Sequence, residues 1–147
     1  MAMRKPGRSI RYAATVVSFT ALLATLTTGT AHAAIKDYKC KTSSKASATD
    51  KGGRDAVATS RDAKNSKKFF RIEFISDGEH MYAENISEFN LVEYRASFQG
   101  TGKTWYWNLR PNKTVHDNLD LPEGHETQIN AIPTVPGFNC GTNGART

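Results

Sequence analysis

The stretch FFRIEFISDGEHMYAENI, residues 69–86, alternates apolar and polar side chains with the two-residue period of a β-strand. Phe70, Ile72 and Phe74 fall on one face of it. Asp77-Gly78 is typical of a two-residue type I′ turn, in which both central residues need a positive φ. The stretch therefore predicts a β-hairpin that turns at this dipeptide.

The register of that hairpin follows from the turn. Its apolar face should oppose Phe74 to Met81 and Ile72 to Ala83. Its polar face should oppose Arg71 to Glu84, a favourable cross-strand pair of charges. Turn chemistry, apolar pairing and charge pairing thus predict one and the same register.

A second hairpin is predicted in LVEYRASFQGTGKTWYWNLRP, residues 91–111. A type II′ turn at Gly100-Thr101 would oppose Ala96 to Trp105 and Tyr94 to Trp107. We therefore expect both tryptophans in the core and Tyr106, which lies between them, on the outside. On that outer face, four side chains are expected to form two cross-strand pairs: Arg95 with Tyr106, and Glu93 with Asn108.

The remaining pattern is also that of short strands and turns. Leu119 and Leu121 alternate, and Pro122-Glu123-Gly124 favours a turn. Ile129 and Ala131 then alternate toward Pro133, which with Pro136 is expected to end regular pairing. About six or seven strands and no helical period indicate an all-β fold. We expect a small antiparallel β-sandwich, with a small barrel as the alternative.

Three segments are expected along the chain. Residues 1–33 combine a basic start, an uncharged apolar stretch and the sequence Ala31-His32-Ala33, which together are typical of a cleaved secretory signal peptide. Residues 34–68 form a basic, polar N-terminal arm, with a short strand expected near Tyr38 and Cys40. Within it, residues 41–68 hold almost no large apolar side chain and read as irregular or partly disordered. Residues 69–147 then form the β domain. The sequence thus predicts a secreted, extracellular protein without a membrane span.

Cys40 and Cys140 are the two cysteines of the chain. In an exported protein such a pair favours a disulfide, which would join the two ends of the domain.

Charge is distributed unevenly. The chain carries 20 Lys and Arg against 14 Asp and Glu, a net charge of +6. Residues 36–71 contain 11 of these cations and 4 of the acids, whereas residues 72–147 contain 5 and 10. A basic segment beside an acidic body is able to contact polyanions, but it is also typical of a solvated surface.

One binding site and one catalytic alternative can be named from the sequence. The predicted binding face consists of Tyr106, Arg95, Arg110 and Asn108, because an exposed aromatic ring among arginines can stack on a sugar or another ring. Glu73, His80 and Arg71 could instead serve a nuclease as carboxylate base, histidine acid and phosphate clamp. The histidines lack the spacing of a metal motif, so neither a metal nor another cofactor is predicted.

The segments DGEHMYAEN and LDLPEGHETQI resemble those of small exported actinobacterial β-proteins of uncharacterised function, and the resemblance covers roughly residues 69–132. It implies a one-domain β pattern and no particular activity.

We therefore expect a small secreted, non-catalytic binding module, monomeric, whose partner is an extracellular macromolecule or glycan. The pattern does not favour a nucleic-acid partner. A secreted hydrolase, above all a nuclease, is the first alternative, and a secreted inhibitor or antimicrobial factor acting through the basic arm is the second.

Overall fold

The computed structural model describes residues 35–147, so the predicted signal peptide lies outside the described residues. Within this range a short 3₁₀ turn, Ile35–Asp37, precedes nine strands. The strands are β1 (Tyr38–Ala46), β2 (Arg54–Asp62), β3 (Phe69–Ile75), β4 (His80–Asn85), β5 (Val92–Phe98), β6 (Thr104–Leu109), β7 (Lys113–Asn118), β8 (Glu126–Pro133) and β9 (Cys140–Arg146). The all-β class is confirmed, but the expected six or seven strands are too few.

All nine strands belong to one antiparallel sheet, in the order β6-β5-β8-β9-β2-β3-β4-β7, with β1 paired to β2 outside this path. The two end strands approach each other, because the indole N–H of Trp107 on β6 donates a hydrogen bond to the Asp117 carboxylate on β7. The sheet is therefore barrel-like and nearly closed. The fold is thus closer to the alternative, a small barrel, than to the expected sandwich.

The irregular structure predicted for residues 41–68 is wrong in its main part, whereas the strand expected near Tyr38 and Cys40 is present as the start of β1. Strands β1 and β2 pair along their whole length, from Tyr38 opposite Asp62 to Ala46 opposite Arg54. Strand β2 buries the small side chains of Ala56, Ala58 and Ser60. Small side chains suffice here because the neighbouring strand β3 supplies the bulk of the core, so the absence of large apolar residues did not prevent strand formation.

The core lies inside the curled sheet and is continuous. Strand β3 contributes the fully buried Phe70, Ile72 and Phe74. At one end of the barrel, Phe70 packs with Tyr38 and Phe89, with ring centroids 4.8–5.7 Å apart for the three pairs. Burial raises the pKa of Tyr38 to about 12, because the phenolate form loses its hydration there.

The predicted registers of the two hairpins are confirmed. In the first hairpin, Phe74 opposes Met81 and Arg71 opposes Glu84. In the second, Ala96 opposes Trp105 and Arg95 opposes Tyr106.

The turn types differ from the prediction. In the first turn the positive φ angles fall on Gly78 and Glu79 and not on Asp77, which is incompatible with type I′. In the second, the amide of Thr101 donates to the carbonyl of Phe98, which centres the turn on Gln99-Gly100 instead of Gly100-Thr101.

Two further predictions have different outcomes. Leu119 and Leu121 are buried as their alternation suggested, but they follow β7 and lie outside any strand. The disulfide is confirmed: Cys40 on β1 is bonded to Cys140 on β9, with Cα atoms 5.5 Å apart, and the two residues are 100 positions apart in the chain. Within residues 35–147, no helix has the length and apolar character that crossing a membrane requires.

Candidate functional site

The outer face of β5 and β6 presents the aromatic side chain predicted for binding. Tyr106 is 56% exposed and is the large hydrophobic side chain that stands out to solvent in the described part of the chain. The guanidinium carbon of Arg95 lies 5.1 Å from the centre of its ring. This contact is a cation–π pair at the protein surface.

The strand alternation explains why Tyr106 faces outward. Trp105 and Trp107 point inward and pack against the core, although both are half-buried and not fully buried as expected. Their partial exposure has a clear cause, because β6 is an end strand of the sheet and has a paired neighbour, β5, on one side. The Phe98 and Trp105 rings meet edge to face at 5.0 Å, which fixes the strand against the core.

Arg95 is held in position by its own neighbours. Its Nη2 donates to Oε1 of Glu93 at 2.7 Å. Its Nε is buried and has no acceptor among the described residues. On the other side of β5, Arg95 opposes Asn130 of β8. Tyr106 on β6, Arg95 on β5 and Asn130 on β8 thus lie side by side across three neighbouring strands.

The other two predicted binding residues lie along β6. Asn108 is exposed and opposes Glu93 across the strand pair. Arg110 is exposed and follows the last residue of β6. The structure thus brings Arg95 and Tyr106 into contact, and within residues 35–147 neither Asn108 nor Arg110 forms a side-chain hydrogen bond or ion pair with them.

Of the three residues considered for a nuclease, the structure joins two directly. Arg71 Nη2 donates to Oε2 of Glu73 at 2.5 Å, so these two form an ion pair. Glu73 opposes Tyr82, whereas His80 opposes Ile75. The hydrogen-bonding partner of His80 is His116 on β7, whereas Arg71 and Glu73 pair with each other on β3.

A pair of histidines lies on the outer face of β4 and β7. Nε2 of His116 is 3.1 Å from Nδ1 of His80. Tyr82 stacks on the His116 ring, with centroids 4.1 Å apart and an angle of 9° between the planes. The third histidine of the described range is separate, since Nδ1 of His125 is 2.8 Å from the carbonyl oxygen of Gln99.

Sequence reasoning missed this pair because His80 and His116 are 36 positions apart. Their contact depends on the pairing of β4 with β7, in which Tyr82 opposes His116 and His80 opposes Asn118. Strands β5 and β6 lie between β4 and β7 in the chain, so no turn sequence connects the two paired strands directly. Over residues 35–147, the structure holds no group of three or more metal-ligating side chains.

An acidic group lies just before this pair, in the turn between β3 and β4. The pKa of Glu79 is raised above its usual value, first by burial and then by the nearby carboxylates of Glu123, Asp50 and Asp120. The turn end of the barrel therefore carries closely spaced negative charge.

The basic segment forms a surface of its own on β1 and β2. Lys39, Lys41 and Arg61 line a shallow depression of about 650 Å³, together with Val57 and Thr59. Two other cations of the segment are paired with acids, Lys64 with Asp37 at 2.9 Å and Lys45 with Asp55 at 3.7 Å. The positive charge predicted for a free arm is thus attached to the sheet.

Comparison with known proteins identifies no relative. No protein-family model matches the chain, and neither a curated protein nor a solved structure matches it.

Proposed function

We propose that the protein is a non-catalytic extracellular binding module, and that its ligand is a glycan bound on the outer face of β5 and β6. One observation carries the proposal: Tyr106 holds 56% of its surface in solvent, beside the guanidinium of Arg95. A large aromatic side chain that is left exposed beside fixed polar groups is more typical of a binding surface than of a sheet face that is merely solvated.

The chemistry of this face suits a sugar. A flat tyrosine ring can pack against the C–H face of a pyranose, and a sugar offers hydroxyl groups around that face as donors and acceptors. Arg95 supplies N–H donors, and the Asn108 amide supplies both a donor and an acceptor. The strand backbone fixes the spacing of these groups before the ligand arrives, which reduces the entropy cost of binding.

The test is a binding assay with a panel of purified polysaccharides, namely cellulose, xylan, chitin and insoluble peptidoglycan. We expect saturable binding to at least one of them. Tyr106→Ala should weaken this binding by about tenfold or more, corresponding to about 1.4 kcal/mol, because it removes the stacking surface. Tyr106→Phe keeps the ring and should retain most of the affinity.

A matched control separates stacking from general damage. Lys41→Ala removes an exposed side chain from β1, which pairs with β2 and lies away from β5 and β6 in the strand order, and should bind like the wild type. Circular dichroism and thermal unfolding should show that all variants remain folded. The proposal fails if no polysaccharide binds saturably, or if Tyr106→Ala binds as tightly as Lys41→Ala.

A further inference from the structure

We propose that His80 and His116 form a surface site for one divalent transition-metal ion, with Cu²⁺ and Ni²⁺ as the preferred ions. The site is distinct from the Tyr106 face and does not depend on the proposed glycan binding. The observation that carries it is the separation of 3.1 Å between Nδ1 of His80 and Nε2 of His116.

This separation is the one that a shared metal ion requires. A histidine nitrogen lies about 2.0–2.1 Å from such an ion, so two nitrogens on one ion are about 2.9 Å apart at a right angle and about 3.3 Å apart at the tetrahedral angle. The observed distance lies between these values. The two nitrogens can therefore bind one ion with little change in their separation, once the rings turn so that both lone pairs point at the ion and not along the line between the nitrogens.

The two rings are held in place before any ion binds. Both histidines stand on paired strands, and their positions are diagonal neighbours across β4 and β7. The parallel stacking of Tyr82 on His116 fixes the plane of that ring. Because little side-chain freedom remains to be lost, the pair binds an ion at a lower entropy cost than two mobile histidines would.

Proton placement is compatible with neutral ligands. In the absence of an ion, the close contact requires one nitrogen to carry the hydrogen and the other to accept it. On binding, that hydrogen leaves its nitrogen for water, and the second nitrogen of the same ring takes up a hydrogen from water. Both rings stay neutral, and both facing lone pairs become available to the ion.

The ligand set selects the type of ion. Two imidazoles leave the other coordination positions to water, because the described residues include no third ligand in this cluster. A structural zinc site uses four protein ligands, whereas nitrogen and oxygen ligands in a square-planar or tetragonal arrangement suit Cu²⁺ and Ni²⁺. Negative charge near the site favours any cation, since Glu79 precedes His80 and lies near three further carboxylates.

The experiment titrates the protein, purified without a polyhistidine tag, with Cu²⁺, Ni²⁺ and Zn²⁺ by isothermal calorimetry. We expect one ion per chain for Cu²⁺ and Ni²⁺. His80→Ala and His116→Ala should each weaken binding by about a hundredfold or more, because the second ligand acts at a high effective concentration. The electron paramagnetic resonance spectrum of the Cu²⁺ complex should show two nitrogen ligands.

His125→Ala is the matched control, since it removes a histidine that lies apart from the pair. Its affinity should equal that of the wild type. Thermal unfolding without metal should verify that each variant is folded. Equal weakening in His125→Ala, or wild-type affinity in the double variant His80→Ala/His116→Ala, would overturn the proposal, as would a Cu²⁺ spectrum without nitrogen ligands.

Discussion

Asn85, at the end of β4, shows how a single buried amide connects separate parts of this barrel. Its Nδ2 donates to the carbonyls of Phe89, at 3.3 Å, and Leu109, at 3.0 Å. Its Oδ1 accepts from both the amide and the hydroxyl of Ser87. The side chain is fully buried and thereby joins β4 to the loop that follows it and to the end of β6.

Asn85→Ala should lower the free energy of unfolding by about 2–4 kcal/mol, because it leaves several buried groups without partners. Denaturant unfolding measures the loss. Asn108→Ala removes the same side chain from an exposed site on β6 and should change the stability by about 0.5 kcal/mol or less. Similar losses in the two variants would contradict this account of Asn85.

Glu79 is expected to make stability depend on pH. Its pKa in the folded protein lies above the ordinary value of 4.5, first because of burial and then because of neighbouring carboxylates. The stabilisation associated with this group is therefore present below its ordinary pKa and is lost as the pH rises through the folded-state pKa. At neutral pH the charged side chain opposes folding.

Glu79→Gln should therefore raise the melting temperature near pH 7 and leave it unchanged at about pH 3, where the glutamate is protonated. Thermal unfolding at both values of pH is the measurement. Glu126→Gln removes an exposed carboxylate at the start of β8 and serves as the control for net charge. An equal gain at both pH values would show that charge at Glu79 is not the cause.

At the scale of elements, β6 separates core from surface within three consecutive residues. Trp105 and Trp107 pack against the core, and the Trp107 indole also bonds to Asp117 across the seam between the end strands. Tyr106 lies between them on the opposite face. The strand therefore contributes to stability through its inner face and offers its outer face to solvent.

Truncating the three aromatic residues in turn tests this division. Trp105→Ala and Trp107→Ala should each cost about 2 kcal/mol or more, whereas Tyr106→Ala should cost about 0.5 kcal/mol or less. Chemical denaturation of the three variants gives the comparison. The assignment is wrong if Tyr106→Ala is as destabilising as either tryptophan variant.

Local elements were the most predictable part of the fold. The hairpins β3–β4 and β5–β6 follow from alternation and short turns, and their registers are as predicted. Strands β1 and β2 could not be predicted in the same way, because apart from Tyr38 β1 buries no residue. Backbone hydrogen bonds to β2 hold β1 in the sheet. Such bonds do not depend on apolar side chains, so the hydrophobic pattern of the sequence does not indicate them.

At the scale of the whole molecule, the disulfide joins the first and ninth strands. The bond between Cys40 and Cys140 closes a loop of 100 positions, nearly the entire described chain. On the chain-entropy account, such a loop restricts the unfolded chain and so stabilises the folded one by about 4–5 kcal/mol.

Replacing both cysteines, Cys40→Ser with Cys140→Ser, should lower the free energy of unfolding by about this amount. Urea unfolding of the oxidised wild type, the reduced wild type and the double variant measures it. The reduced wild type should resemble the double variant, because both lack the covalent link. A double variant as stable as the oxidised protein would show that the bond does not stabilise the fold.

The sequence by itself determined the all-β class, the two hairpin registers, the cysteine pair and the outward position of Tyr106. Each depends on alternation, turn residues or residue count within a short stretch or at two marked positions. The tertiary structure alone decided the nearly closed barrel, the strands β1 and β2, and the contact between His80 and His116. These features depend on which distant strands pair, and that choice comes from packing the whole core at once, which no local pattern encodes.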